Sequence, residues 1–259
     1  MIAAGKLAEF LVFIVGLVAG LYFLWLGMRG KTFKLRRLAA VEAIPEVVDR
    51  AVETGKPIIV GAGELAYLSG MYSTMTIAGM NVLRYTARES FKKGARVIAV
   101  SPVNPEALPL MDGIIHEAAV EVGRPEAYRR EDIKWYGPTE NQLQVGLAGT
   151  IGLEGCAAYI MVGAITGMQI ADMGAARMAD GIIIGGTARY YHNGTWATLA
   201  DYSLFSDDIY AAGAICSGDP VVMSSVVGGD VVKYILIAVT LILTVIGVAG
   251  APVISWLRI

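Results

Sequence analysis

The chain has 259 residues, of which 55% are hydrophobic and only 17% charged, and its mean hydropathy is +0.57. Soluble globular domains carry about 25% charged residues, so this composition excludes a protein that is water-soluble throughout. The 31 glycines have no three-residue repeat along the chain, which excludes collagen, and the low charge excludes a disordered chain. We expect part of the chain to lie in lipid.

The first long apolar segment, FLVFIVGLVAGLYFLWLGM at 10–28, contains no charged residue. A helix of that length rises about 28 Å, close to the hydrocarbon thickness of a bilayer, and this predicts a transmembrane helix after a short outer N-terminus at 1–9. A cleaved signal peptide is the alternative, but its apolar run is shorter and no small-x-small cleavage site precedes a mature start.

A cluster of basic residues follows this span directly, which predicts that this flank is cytoplasmic and binds anionic lipid head groups. This basic collar, at 29–37, contains Arg29, Lys31, Lys34, Arg36 and Arg37.

A second uncharged segment, YILIAVTLILTVIGVAGAPVISWL at 234–257, has Tyr234 and Trp256 where aromatic residues favour the membrane interfaces. With two spans, both termini lie outside and residues 29–233 lie in the cytoplasm, with Lys233 at the inner end of the second span. The sequence therefore predicts a two-pass protein of the cell membrane.

The stretch between the anchors is acidic. Residues 38–232 hold 13 basic and 22 acidic side chains, a net charge of −9. Without a basic stripe such a surface repels phosphate backbones, so we expect no nucleic-acid partner. Cys156 and Cys216 lack CxxC spacing and would lie in a reducing compartment, which favours small core residues over a disulfide or a metal site.

Residues 38–231 predict one α/β domain. Runs of Val and Ile without polar alternation, as in PIIVGAG, RVIAVSP, AAYIMVG and GIIIGG, are typical of strands that helices cover on both faces. Helices are expected at 45–53, 64–93, 105–122 and 168–179, and a further candidate strand begins at Pro220. The polar stretch 123–144 is predicted to leave the sheet as an excursion, such as a surface loop with a short helix. The pattern favours a Rossmann-like, doubly wound, mostly parallel sheet flanked by the N- and C-terminal transmembrane helices.

Two internal segments without charge, 65–83 and 155–170, could be further spans. The first contains hydroxyl, amide and glycine residues that disfavour insertion, and the second has only sixteen residues. A buried helix and a buried strand are the favoured interpretations.

The segment GAGELA at 61–66 fits G-x-G-x-x-A, which at the start of a helix can hold a pyrophosphate. The acidic residue expected about twenty positions later is absent, and Glu64 would face the phosphate, so a tight turn is favoured. Ligands of open α/β sheets bind at the carboxyl ends of strands, where small residues can also serve only to turn the chain. The candidate ligand-binding residues at these ends are Gly61, Gly63, Ser101, Asn104, Thr166, Gly186, Thr187 and Arg189.

No pattern predicts catalysis. His116 and His192 have no second ligand at metal-binding spacing, and the sequence contains no G-x-S-x-G, P-loop or H-E-x-x-H motif. We therefore predict no catalytic residue, no metal and no cofactor.

Glycines at 146, 149, 152 and 155 recur every three residues, and eleven methionines add adaptable apolar surface. One domain cannot bury the surfaces of so many weakly polar helices in its own core, so we expect some of these surfaces to form contacts between copies. The preferred hypothesis is a homo-oligomeric scaffold or assembly platform, and the rival is a membrane-tethered ligand-binding protein, nucleotide-binding protein or enzyme that uses the strand ends. A transporter is a third possibility, but two spans without intramembrane charge offer no path for a solute.

Overall fold

The computed structural model describes residues 7–65, 67–165 and 169–248. Two compact units make up the chain: a terminal unit, formed by the described parts of Met1–Leu35 and Gly218–Ile259, and a central unit, Arg36–Ser217. In chain order the helices and strands are α1 (Leu7–Met28), α2 (Ala39–Glu42), α3 (Ile44–Thr54), β1 (Ile58–Gly63), α4 (Ser73–Lys93), β2 (Val97–Val100), α5 (Ala107–Glu121), β3 (Ile133–Lys134), α6 (Glu140–Glu154), β4 (Ala158–Ala164), α7 (Ile170–Met178), β5 (Ile182–Thr187), α8 (Asn193–Leu199), β6 (Tyr202–Phe205), α9 (Asp208–Ser217) and α10 (Pro220–Val248).

The terminal unit is a pair of long apolar helices, α1 and α10, that pack against each other. Both are long and apolar enough to cross a membrane, as predicted for the two ends of the chain. The strand expected from Pro220 is wrong, because this Val-rich segment continues without a break into the apolar run and forms the first turns of α10. Residues 249–257 of the second predicted span lie outside the described residues.

The central unit contains a six-stranded, all-parallel sheet with the order β3-β2-β1-β4-β5-β6. Strands β1 and β4 lie at its centre and are buried along their whole length, as their uninterrupted apolar sequences predict. In the register of these strands, Ile59 of β1 lies between Ile98 of β2 and Tyr159 of β4.

Helices cover both faces of the sheet. Helices α3, α4, α5 and α9 contribute to one apolar core, which includes Leu83 of α4 and Ile209 of α9. Helices α6, α7 and α8 contribute to the other, with Leu147 of α6, Met173 of α7 and Trp196 of α8. The molecule is therefore a mixed α/β protein with two apolar helices at its ends.

Two local predictions are corrected. The helix expected from Glu64 begins only at Ser73, after a turn in which Gly70 has a positive φ of 72°. The segment 123–144 returns to the sheet, because β3 pairs with β2 at its edge. Helix α6, which was not predicted, contains Gly146, Gly149 and Gly152 of the glycine series, and Gly155 follows as its C-cap. The two uncharged internal segments have buried residues in the central unit: Val82 of segment 65–83 is buried in α4, and Tyr159 of segment 155–170 is buried in β4. Of the described helices, only α1 and α10 have the length and hydropathy of a membrane span.

Candidate functional site

The carboxyl ends of all six strands lie at one edge of the central sheet because the strands are parallel. We call this edge, with the residues that follow β1, β2, β4 and β5, the strand-end edge. From β1 the sheet extends to one side through β2 and β3, and then to the other side through β4, so that β1 and β4 are neighbours at this edge. This is the position where the strand order reverses, and such a position is where open α/β sheets bind ligands.

The two candidate glycines of β1 serve packing within the sheet. Gly61 leaves room for Met161 of β4, whose Sδ would lie 2.7 Å from a Cβ atom. Gly63 has a φ of 93° and approaches the Ala164 backbone nitrogen, 2.6 Å from the position of a Cβ atom. The amide groups of Glu64 and Leu65 both donate to the Ala164 carbonyl. These two amides are therefore engaged in the sheet, and α4 begins only at Ser73, which favours a tight turn over a pyrophosphate site.

The other candidates after β2 and β5 make local contacts. Ser101 is buried and its hydroxyl donates to the Pro102 carbonyl at 3.4 Å, and Asn104 bonds to Glu106 through its side-chain amide at 2.9 Å. Thr187 accepts a hydrogen bond from the Arg189 amide at 3.3 Å. Gly186 lies against the Leu204 carbonyl of β6. Thr166 lies outside the described residues.

Arg189 is the candidate with an arrangement suited to a ligand. Its Nη1 donates to the Tyr72 hydroxyl at 3.0 Å, so the loop after β5 reaches the loop after β1. Its guanidinium also lies over the rings of Tyr72 and Tyr191, 5.2 and 4.6 Å from the ring centroids. Within the described part of the chain this half-buried cation has no carboxylate partner.

A second polar group lies beneath this edge and was not predicted. This buried polar cluster consists of Glu64, Gln144, Tyr159, Gln169 and Asp172. The Tyr159 hydroxyl donates to Asp172 Oδ2 at 2.8 Å and lies 3.3 Å from Gln169 Oε1, and Gln144 donates to Glu64 Oε1 at 3.2 Å. Glu64, Gln169 and Asp172 have almost no exposed surface.

Burial controls the protonation of this cluster. Desolvation raises the pKa of Asp172 to about 7, although the Tyr159 hydroxyl and the Met173 amide stabilise its carboxylate, and Glu64 raises it further by charge repulsion. Burial likewise raises the pKa of Tyr159 well above its usual value. The cluster can therefore hold or release a proton on Asp172 near neutral pH.

One end of the Gln169 amide is unpartnered within the described residues: its Nε2 atom is buried and has no hydrogen-bond partner among them. Such a group is unfavourable unless something fills its hydrogen-bonding capacity. The sequence offered one signal for this cluster, since Asp172 is the only charged residue between Glu154 and Arg177. An isolated carboxylate in an apolar stretch does not reveal its partners on other strands and helices, which only the fold brings together.

The outer surface of α6 and α7 is apolar. Its large side chains are unusually exposed, with 90% of Leu153, 89% of Met178, 72% of Val145 and 52% of Ile170 accessible. Gly149, Gly152 and Gly174 have no neighbouring atom within 4 Å of a Cβ position. We call this surface the α6–α7 face, defined by Val145, Gly149, Gly152, Leu153, Ile170, Gly174 and Met178. Beside it, an open depression of about 440 Å³ is lined by Tyr136, Asn141, Gln142, Val145 and Gly146.

The basic collar is divided between the two units. In the terminal unit, the Arg29 guanidinium lies 3.8 Å from the centroid of the Trp25 ring and Lys31 lies 5.4 Å from that of Phe33. In the central unit, Arg36 forms an ion pair with Asp208 and Arg37 with Glu42. Among the described residues, no group of three or more His, Cys, Asp or Glu side chains could hold a metal ion.

Comparison with known proteins gives a family and no activity. The family model described as "Domain of unknown function (DUF6754)" matches residues 1–256. No curated protein and no solved structure matches the chain.

Proposed function

Because the chain belongs to the DUF6754 family, whose description names no activity, we propose a function from its own geometry: a membrane-anchored protein whose copies assemble into a homo-oligomeric scaffold. The observation that carries this proposal is the exposed, uncharged α6–α7 face. Homo-oligomers use such faces as interfaces, because large apolar patches are unfavourable in water.

The anchors orient the protein in this proposal. Helices α1 and α10 cross the cell membrane, and the basic collar marks the cytoplasmic side, where the central unit lies. Arg29, Lys31 and Lys34 face anionic lipid head groups there, with about 1 kcal/mol of binding free energy for each cation near the surface.

The strand order of the central sheet is that of the doubly wound dinucleotide-binding proteins, and on this basis we treat the central unit as Rossmann-like. A fold of this kind supports many functions, so it gives no function by itself. The surfaces and side chains of the central unit therefore carry the functional information.

The glycines of the α6–α7 face support contact between copies. A glycine within a helix destabilises it by about 1 kcal/mol relative to alanine. Gly149 and Gly152 have open space around them, so packing within one copy does not require them. Close approach of a second copy's backbone does require small residues such as these glycines. Anchors that confine all copies to one plane raise the frequency of such contacts.

Native mass measurement of the full chain in mild detergent tests this proposal. We expect oligomers for the natural protein and dissociation for Leu153→Glu, because the substitution places a carboxylate in the contact. Val120→Glu, at an exposed apolar site on α5 in the other helix layer, is the control and keeps the oligomer. Monomers alone for the natural protein would refute the proposal.

A second candidate function is small-ligand binding at the strand-end edge. Two observations on the described part of the chain favour it: the Arg189 guanidinium has no carboxylate partner there, and the Gln169 Nε2 atom has no hydrogen-bond partner there. A cation between tyrosine rings and a free amide donor both suit a small anion, such as a carboxylate or phosphate compound.

Thermal unfolding with a panel of nucleotides and small anionic metabolites tests this second candidate. A bound ligand raises Tm by several degrees, and Arg189→Met abolishes the rise. Arg177→Met, which removes an exposed arginine paired with Asp201, is the control and leaves the ligand response intact. A Tm that no compound changes counts against the ligand site and leaves the scaffold proposal unaffected.

A further inference from the structure

We infer that α10 forms a contact between copies inside the membrane, in which Asp230 of one copy pairs with Lys233 of a second copy. The inference rests on the proposed homo-oligomer and adds an interface separate from the α6–α7 face. Three observations carry it: the register of α1 against α10, the depth this gives the two charges, and the helix face on which they lie.

The register of the two helices follows from their close contacts. At Gly27, near the end of α1, a Cβ atom would lie 2.8 Å from the Val221 Cα in the first turn of α10. Further along, the Phe23 Cβ lies 3.0 Å from a Cβ position at Gly228, and Val232 Cγ1 lies 3.9 Å from one at Gly16. The helices are therefore antiparallel, and the end of α1 is level with the start of α10.

This register places the two charges deep in the pair. Asp230 and Lys233 follow Pro220 by ten and thirteen residues, which corresponds to about 15 and 20 Å along the helix axis. The uncharged stretch 10–28 of α1 spans about 28 Å. Lys233 was expected at the inner end of the second span, but it is level with the middle of α1. If α1 crosses the membrane, these charges lie near the bilayer midplane.

The two charges lie on the side of α10 that points away from α1. Asp230, Lys233 and Ile237 are separated by three and four residues and so share one helix face. Ser224 and Gly228, which lie against α1, occupy the opposite face. The Asp230 and Lys233 side chains are 53% and 49% exposed in a single copy, where they form an ion pair at 3.4 Å.

A charged pair that faces hydrocarbon is unfavourable, and charges inside membranes lie almost always against protein. The same face of a second copy is complementary to it. All copies have the same orientation in the membrane, so their α10 helices run parallel. A two-fold arrangement then brings each Asp230 close to the other copy's Lys233, since the two positions differ by about 4.5 Å along the axis.

Disulfide cross-linking of the full chain in lipid vesicles tests this contact. Ile237→Cys lies on the charged face, and Ile235→Cys, the matched control, is half-buried and lies two turns after Gly228 on the side of α1. We expect oxidation to join copies that carry Ile237→Cys and to leave those with Ile235→Cys as single chains. Equal cross-linking of both variants, or none of either, would overturn the inference.

Substitutions of the charges test the pairing itself. Asp230→Leu and Lys233→Leu each remove one member of the proposed pair, and we expect about a tenfold loss of Ile237→Cys cross-linking. The exchanged variant, Asp230→Lys with Lys233→Asp, restores the complementary pair and recovers the cross-link. If the exchange behaves like the single substitutions, reciprocal pairing is wrong.

Thiol labelling tests the depth, because a cysteine in hydrocarbon does not react with a water-soluble maleimide. Gly229→Cys is expected to be protected in vesicles, whereas Gly30→Cys in the basic collar is labelled. Equal labelling would place α10 outside the bilayer at this point and refute the inference.

The two proposals fail separately. If the natural chain is oligomeric by mass but Ile237→Cys does not cross-link, the membrane contact is wrong and the scaffold proposal stands. If Ile237→Cys cross-links even with Leu153→Glu present, the membrane contact holds without the α6–α7 face. If the natural chain is monomeric by mass and Ile237→Cys does not cross-link, both proposals are refuted.

Discussion

The Tyr159 hydroxyl donates a 2.8 Å hydrogen bond to Asp172 Oδ2 in the interior of the central unit, where both side chains are fully buried. This bond joins the central strand β4 to α7. The carboxyl group has lost its water, and hydrogen bonds from Tyr159 and the Met173 amide replace only part of that hydration. The folded protein therefore favours the protonated acid more than the unfolded chain does.

Stability is expected to fall as the pH rises from about 4 to about 7. The pKa of Asp172 is about 7 in the folded protein against an ordinary value of 3.8, so the folded state binds more protons in this interval. The free energy of unfolding then decreases by at most about 1.4 kcal/mol per pH unit from this group. Asp172→Asn removes this contribution and flattens the pH profile of denaturant unfolding.

A matched control is Asp49→Asn, which changes an exposed carboxylate on α3 that pairs with Lys93. It should keep the slope of the natural protein between these pH values. The assignment to Asp172 is wrong if Asp172→Asn and Asp49→Asn give the same profile.

Two glycine-to-alanine substitutions should act in opposite directions on folding. At Gly79 in α4, a Cβ atom would contact the Val162 carbonyl and lie 2.9 Å from the Ala62 Cα. We expect Gly79→Ala to lower the free energy of unfolding by about 1–3 kcal/mol through overpacking. At Gly149 the space is open, so Gly149→Ala should raise helix stability by about 0.5–1 kcal/mol.

Denaturant unfolding of each variant in dilute detergent solution, where copies are separated, measures these effects. In the oligomer, the Gly149→Ala methyl group enters the proposed contact, so self-association should weaken while the single chain becomes more stable. If Gly149→Ala strengthens both properties, close backbone approach at this glycine is wrong.

The sequence predicted the central strands and the two long apolar helices because their signals are local. An uninterrupted run such as Ile58 to Val60, or the uncharged stretch 10–28, has the same meaning in any context. The segment PVVMSSVV from Pro220 was wrongly predicted as a strand because valine favours strands. It is helical because it continues into the apolar helix α10, which packs on α1. Intrinsic preference was overridden by tertiary contact.

The candidate site was less predictable. Of the described residues proposed at the strand ends, Arg189 alone makes contacts suited to a ligand, and its partner Tyr72 is 117 positions away in the chain. The glycines Gly61 and Gly63 follow the pattern of a phosphate loop, but their role is the close approach of β1 to β4. Side-chain partners on different elements cannot be read from spacing, and Asp172 was missed for that reason.

Arg96 should resist even conservative substitution. Its Nε and Nη2 atoms donate to both oxygens of Asp132, at 2.9 and 2.5 Å, and Nη1 donates to Glu154 at 2.7 Å. The Asp132 side chain is almost fully buried, and lysine could replace only one of these two hydrogen bonds to it, with Arg129 3.9 Å from Oδ2. We expect Arg96→Lys to cost about 1–3 kcal/mol of unfolding free energy, measured with denaturant.

The control for Arg96 is Arg177→Lys, which alters an exposed ion pair with Asp201 and should change stability by less than about 1 kcal/mol. The residues before β3 depend on the Arg96 contact, so hydrogen exchange at 130–134 should accelerate in Arg96→Lys. Unchanged exchange there would show that β3 is held at the sheet edge without this arginine.

The two native thiols are expected to be unreactive in the folded protein. Burial raises the pKa of both Cys156 and Cys216 to about 12, so almost no thiolate exists near neutral pH. Alkylation should therefore proceed only as fast as the central unit unfolds, and denaturant should accelerate it. An introduced Ile237→Cys then supplies the only thiol that oxidation can cross-link, and the natural chain serves as the negative control. Rapid alkylation of the natural chain under folding conditions would contradict the burial of these thiols.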